Sequence, residues 1–78
     1  MPIAFVLINV ELGKEKEVLD QLKRTDNVKE AYLVYGAYDI VAKVEAASMK
    51  KLKEIVTYKI RRLNDIRSTL TMTVAEGV

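Results

Sequence analysis

The chain begins with an almost unbroken apolar run, Ile3 to Val10, closed by Gly13. Its β-branched and aromatic content predicts a strand. Lys14 to Arg24 is rich in helix-forming residues, with Val18, Leu19 and Leu22 on one face, and Thr25-Asp26-Asn27 ends that pattern. Val28–Tyr35 and Ile40–Glu45 read as two further strands joined through Gly36-Ala37. A Gly-X pair at that point predicts a two-residue type II′ hairpin loop, with Tyr35 and Tyr38 paired across it. Ser48 is an N-cap for a helix running to about Leu63, with Leu52, Val56, Ile60 and Leu63 as its core stripe. Lys51 stands where a capping box needs Glu or Gln. Asn64-Asp65 closes the helix, and Ile66–Ala75 is the last strand.

The order β-α-β-β-α-β has an internal echo. At an offset of about 38 residues, Ala4 matches Ala42, Val6 matches Val44, Val18 matches Val56, and Leu22 matches Ile60. Two β-α-β units back to back give an α+β, ferredoxin-like arrangement. Right-handed crossovers then place the first and third strands at the centre of an antiparallel sheet, with both helices on one face. The last strand alternates Ile66, Leu70, Met72 and Val74 against Arg67, Thr69, Thr71 and Thr73. The first strand is apolar on both faces, with Ala4, Val6, Ile8 and Val10 on one and Ile3, Phe5 and Leu7 on the other. A sheet face open to water should be polar. A second apolar face on a central strand therefore predicts a cover, and a two-fold copy of the same sheet supplies one.

Length and composition reinforce that expectation. Residues 1–78 are enough for a single domain, and a core this small gains from association, disulfides or metals. The chain has no cysteine and no histidine, which removes disulfides, the usual zinc ligands and Cys- or His-based catalysis. The net charge of +2 is too small for a dedicated nucleic-acid binder. The apolar start lacks a basic leader and is too short to span a bilayer, so a cytoplasmic protein with no membrane association is expected.

The candidate chemistry gathers in Tyr35-Gly36-Ala37-Tyr38-Asp39. A turn needs the glycine but not an acid at the mouth of an apolar strand, and Asp39 there must be solvated, paired or hydrogen-bonded. Either it decorates a plain hairpin or it receives an ammonium group. Thr69 and Thr71 offer hydroxyls that suit a carboxylate, or simply reflect strand propensity, and Asn9 on the neighbouring strand can join them. Lys50, Lys51, Lys53, Lys59, Arg61, Arg62 and Arg67 read as a solvated basic face without an aromatic platform. Glu11, Glu15, Glu17 and Asp20 form no acid–base pair, and no nucleophile elbow or phosphate loop is present. Together these features point away from an enzyme, and no cofactor is expected. The segment Asn9–Lys16 also lacks the arginine cradle of an acylphosphatase-like site.

Gly36-Ala37-Tyr38-Asp39, Asn64-Asp65-Ile66-Arg67 leading into the last strand, and Thr69-Leu70-Thr71 together resemble the effector-binding (RAM) domain of Lrp/AsnC transcription regulators. The resemblance covers essentially the whole chain and is closest to stand-alone RAM proteins, because 78 residues leave no room for a helix-turn-helix domain. It implies a homodimer formed through the sheets, assembly of dimers into an octamer-like ring, and an amino-acid effector bound between dimers. By position it assigns Gly36, Tyr38, Asp39, Thr69 and Thr71 to that site, with Tyr35 and Ala37 as walls. It further implies a role in transcription regulation through full-length relatives, with no direct contact to nucleic acid. ACT-type amino-acid-binding modules share the topology but place their ligand loop after the first strand, at Gly13. A purely structural oligomerisation module remains a third alternative.

Overall fold

The computed structural model describes residues 1–75, which form β1 (Ile3–Val10), α1 (Glu15–Lys23), β2 (Val28–Leu33), β3 (Ile40–Glu45), α2 (Met49–Ile55), a π-helical turn (Val56–Ile60) and β4 (Ile66–Thr73). The sheet order is β2-β3-β1-β4, and every pairing is antiparallel. The two β-α-β halves thus interleave as expected, with β1 and β3 central.

One side of the sheet and the helices enclose the core. Ala4, Val6, Ile8 and Val10 of β1 lie there with Ile40, Ala42 and Val44 of β3, all buried. Val18 and Leu22 of α1 meet them, as do Leu52, Ile55, Val56 and Ile60 of the second helical segment. Leu19, Leu63 and Ile66 are only partly buried against this cluster. Ser48 caps α2 by accepting the Lys51 backbone N–H at 3.1 Å, a contact worth about 1 kcal/mol.

Three local features depart from the pattern. The second helix is shorter than its apolar stripe implies, because its last turn widens: the Arg61 N–H donates to the Val56 carbonyl, an i to i+5 bond. That shift keeps Val56 and Ile60 buried and brings Ile55 into the core as well. On β4, Asn9 opposes Ser68 but Val10 opposes Ile66, so Arg67 is the extra residue of a β-bulge. The bulge turns Ile66 to the helix-covered side with Val10 and away from Leu70 and Met72, overturning the simple alternation. β4 also ends at Thr73 and β2 at Leu33, so Val74-Ala75 and Val34-Tyr35 lie outside the strands.

The opposite face of the sheet carries Phe5 and Leu7 of β1, which oppose Met72 and Leu70 of β4. Val41 of β3 opposes Leu7 on the other side and is itself paired to Tyr32 of β2. Leu70 and Met72 are 47% and 49% exposed, and Tyr32 is 55% exposed. Among the described residues no helix covers this face, and its apolar centre is the cost that association would offset. Near the β2 edge it turns polar: the Tyr32 hydroxyl donates to Glu30, and Lys43 Nζ lies 3.5 Å from the same carboxylate. The Tyr32 hydrogen bond, followed by that from Lys43, holds the Glu30 carboxyl below its ordinary value, and the same Glu30 bond pushes the Tyr32 phenol up. The Glu30 contribution is therefore complete above the ordinary carboxylate range and is lost as pH falls through the lowered value. The Tyr32 contribution is complete below the ordinary phenol range and is lost as pH rises through the raised value. Both groups are solvent-exposed, so the cluster orders that edge more than it stabilises the fold.

Candidate functional site

The segment between β2 and β3 is not a two-residue hairpin loop. β2 and β3 are separated by residues 34–39, and the Val34 N–H donates to the Asp39 carbonyl at 2.9 Å to close the loop. Gly36 has a φ of +153°, in a region that residues with a Cβ rarely adopt. The reason for the longer loop lies at Asp39. Its backbone N–H donates to the Ile8 carbonyl at 3.0 Å, and its Oδ2 accepts the Val10 N–H at 3.0 Å. Asp39 is thereby drawn in over the end of β1 and cannot serve as a simple turn flank. This answers the cost of placing an acid beside an apolar strand, since the carboxylate satisfies a strand-end donor.

The Asp39 carboxylate accepts only that bond, so its second oxygen is unpartnered among the described residues, and no lysine or arginine there pairs with it. It stands between two hollows. The polar one, about 440 Å³, is lined by Asn9, Val10, Gly36, Ala37, Asp39, Arg67 and Ser68. The other, about 280 Å³, is lined by Glu15, Leu33, Val34, Tyr35 and Asp39. Both volumes are near the range of small-molecule sites. Tyr35 is fully exposed on the outside of the loop, whereas Tyr38 is half-buried and borders neither hollow.

The threonines separate. Thr69 opposes Ile8, whose carbonyl holds Asp39, and so lies close to this end of the sheet. Thr71 opposes Val6, one side-chain repeat further along β4, and lines a different groove with Thr73, Leu52 and Arg61. Asn9 does take part, its side-chain amide donating to the Ser68 hydroxyl at 3.3 Å. Ser68 and Arg67 are the contributors that sequence reasoning missed. Arg67 looked like one more surface cation, and only the bulge distinguishes it.

The hollow brings together an acid, a guanidinium, an amide, a hydroxyl and loop backbone. Such a set suits binding of a small polar molecule; it contains no nucleophile–base pair. No helix among the described residues is long and apolar enough to cross a membrane.

Comparisons with known proteins match this architecture. Residues 3–78 match the family model of the Lrp/AsnC ligand binding domain. An uncharacterized HTH-type transcriptional regulator of Pyrococcus furiosus is 36% identical over 72 residues, which cover 88% of this chain and 48% of the relative. The chain thus spans about half the length of the curated relatives it matches. Among solved structures, FFRP-DM1 is 44% identical with a TM-score of 0.91, covering 95% of this chain and 99% of that one. AsnC of E. coli is 30% identical with a TM-score of 0.90, covering 97% of this chain and 52% of that one. The chain belongs to the Lrp/AsnC ligand-binding domain family.

Proposed function

We propose that the chain binds a small effector bearing an ammonium group, an amino acid, at the residue 34–39 loop, and that it does so as a homo-oligomer. The observation that carries this reading is Asp39: it is fixed at both its backbone and one carboxylate oxygen, and it borders two hollows. A preset carboxylate binds an ammonium without the entropy of ordering a free side chain. Tyr35, Gly36 and Ala37 supply the wall, and Thr69 lies within one strand residue of the Ile8 anchor.

Association supports the same reading. The apolar face around Leu7, Leu70 and Met72 suits a two-fold copy of itself, giving a dimer. The fully exposed Tyr35 then suits a contact between dimers, as in an octamer-like ring, where effector and assembly affect one another reciprocally. Through that coupling the chain modulates amino-acid-responsive transcription regulators without contacting DNA itself.

Titration calorimetry with the twenty common L-amino acids tests this. At least one is expected to bind the wild-type protein. Asp39→Asn removes the charge but keeps an oxygen for the Val10 N–H, and is expected to weaken that binding about tenfold or more. Equal affinity in the variant would reject Asp39 as the ammonium partner. A Gly13 substitution that abolishes binding while Asp39→Asn does not would move the site to the loop after β1. No binding by any amino acid would favour a structural oligomerisation module.

A further inference from the structure

The basic residue lining the Asp39 hollow has a distinctive position. Arg67 is the one inserted residue of the β1–β4 pairing, opposite the junction of Asn9 and Val10. Bulges next to binding sites commonly redirect a side chain. Here the bulge occurs where β1 delivers the Val10 N–H to Asp39, and both Asp39 and Arg67 line the same hollow. The guanidinium is loosely held. Its Nε lies 3.9 Å from Glu11 Oε1, and the two side chains are 66% and 58% exposed. A single long contact of that kind contributes little and is easily exchanged. By contrast, a guanidinium offers two parallel N–H donors to an incoming carboxylate. The Asn9 amide and the Ser68 hydroxyl, hydrogen-bonded to each other, line the same hollow.

We propose that Arg67 is the carboxylate anchor of the effector site, and that Glu11 is an internal competitor for it. Resting on the assignment of Asp39 to the ammonium, this makes the ligand a zwitterion whose opposite charges are read by two residues lining one chain's hollow. A plain amine satisfies only Asp39. Glu11 belongs to the segment after β1, whose N–H donates to the Asp65 carbonyl at 2.8 Å, so it is held beside the start of β4. Its carboxylate must release Arg67 when the ligand's carboxylate arrives. Glu11 therefore lowers the affinity for a carboxylate-bearing ligand, while Arg67 is what discriminates against ligands lacking one.

The test uses the full chain, any L-amino acid found to bind it, and the carboxamide of that amino acid. Arg67→Gln is expected to weaken the amino acid about tenfold or more, with Arg67→Lys recovering part of the loss. The carboxamide is expected to bind wild type as weakly as the amino acid binds Arg67→Gln, and to be indifferent to that substitution. Glu11→Gln is expected to tighten the amino acid about two- to fivefold and leave the carboxamide unchanged. Circular dichroism checks that each variant folds. If Arg67→Gln or removal of the ligand's carboxylate leaves affinity unchanged while Asp39→Asn weakens it, the Arg67 assignment is overturned and the Asp39 assignment stands. If Glu11→Gln weakens binding, Glu11 is a ligand contact and the competition is overturned. If no amino acid binds, both assignments fall together.

Discussion

Replacing Leu70 with aspartate is expected to leave the single-chain fold intact while lowering the affinity between two copies by more than about a hundredfold. Leu70 lies on the helix-free face of the sheet opposite Leu7 and is 47% exposed in the isolated chain. A charge there stays hydrated as long as that face meets water. Once a second copy covers it, an unpaired carboxylate is buried, at a cost of several kcal/mol. Two-fold symmetry places two such carboxylates in each interface, and every 1.4 kcal/mol is about tenfold in affinity. Sedimentation equilibrium across a concentration series reads the effect, with far-ultraviolet circular dichroism as the folding control. An unchanged association constant would mean that this face is not the interface.

Ile8→Ala is expected to have the largest effect on the fold itself, a loss of about 2–5 kcal/mol. Ile8 is fully buried in the second half of β1, opposite Ile40 on one side and Thr69 on the other. Removing its side chain leaves a cavity in the buried core cluster. A chain of 78 residues has a total stability on the order of 4–12 kcal/mol, so this single truncation consumes a large part of it. The Ile8 carbonyl also accepts the Asp39 N–H, so weakening of the loop should accompany the loss of stability. Urea denaturation at fixed protein concentration measures the change, because association stabilises the folded chain by an amount that rises with the logarithm of concentration. A midpoint shift corresponding to less than about 1 kcal/mol would mean that the core relaxes around the gap.

The sheet order and the two-faced β1 were legible because each rests on periodicity over a whole strand. Ala4, Val6 and Ile8 alternate with Phe5 and Leu7, and nothing local interrupts them. The departures all occur where a single backbone bond reassigns several residues. The Arg61 N–H reaching Val56 widens the helix by one residue, a change that a pattern of Leu, Val and Ile does not register. The extra residue at Arg67 reverses the face of Ile66, while a strand pattern read straight through assumes no bulge. Gly36-Ala37 has the composition of a tight turn, but the pull of β1 on Asp39 is a tertiary interaction and lengthens the loop to residues 34–39.

For the site, the resemblance to the family directed attention to Gly36 and Asp39, and the geometry brings both beside one hollow. Arg67 and Ser68 were invisible as site residues because their approach to Asp39 depends on β1–β4 register, which one strand's sequence does not reveal. Thr71 carried the family pattern yet faces the groove beside the second helix, since strand periodicity moves it one repeat away from Thr69.

The most direct measurement is light scattering of the wild-type chain, alone and with each common L-amino acid at millimolar concentration. The expected result is a multimer of dimers whose mass or stability changes with one or a few amino acids, a response that Asp39→Asn shifts to about tenfold or more higher amino-acid concentration. A monomer at all concentrations, or an assembly indifferent to every amino acid, would contradict the proposal that an interface-linked effector site is built on Asp39.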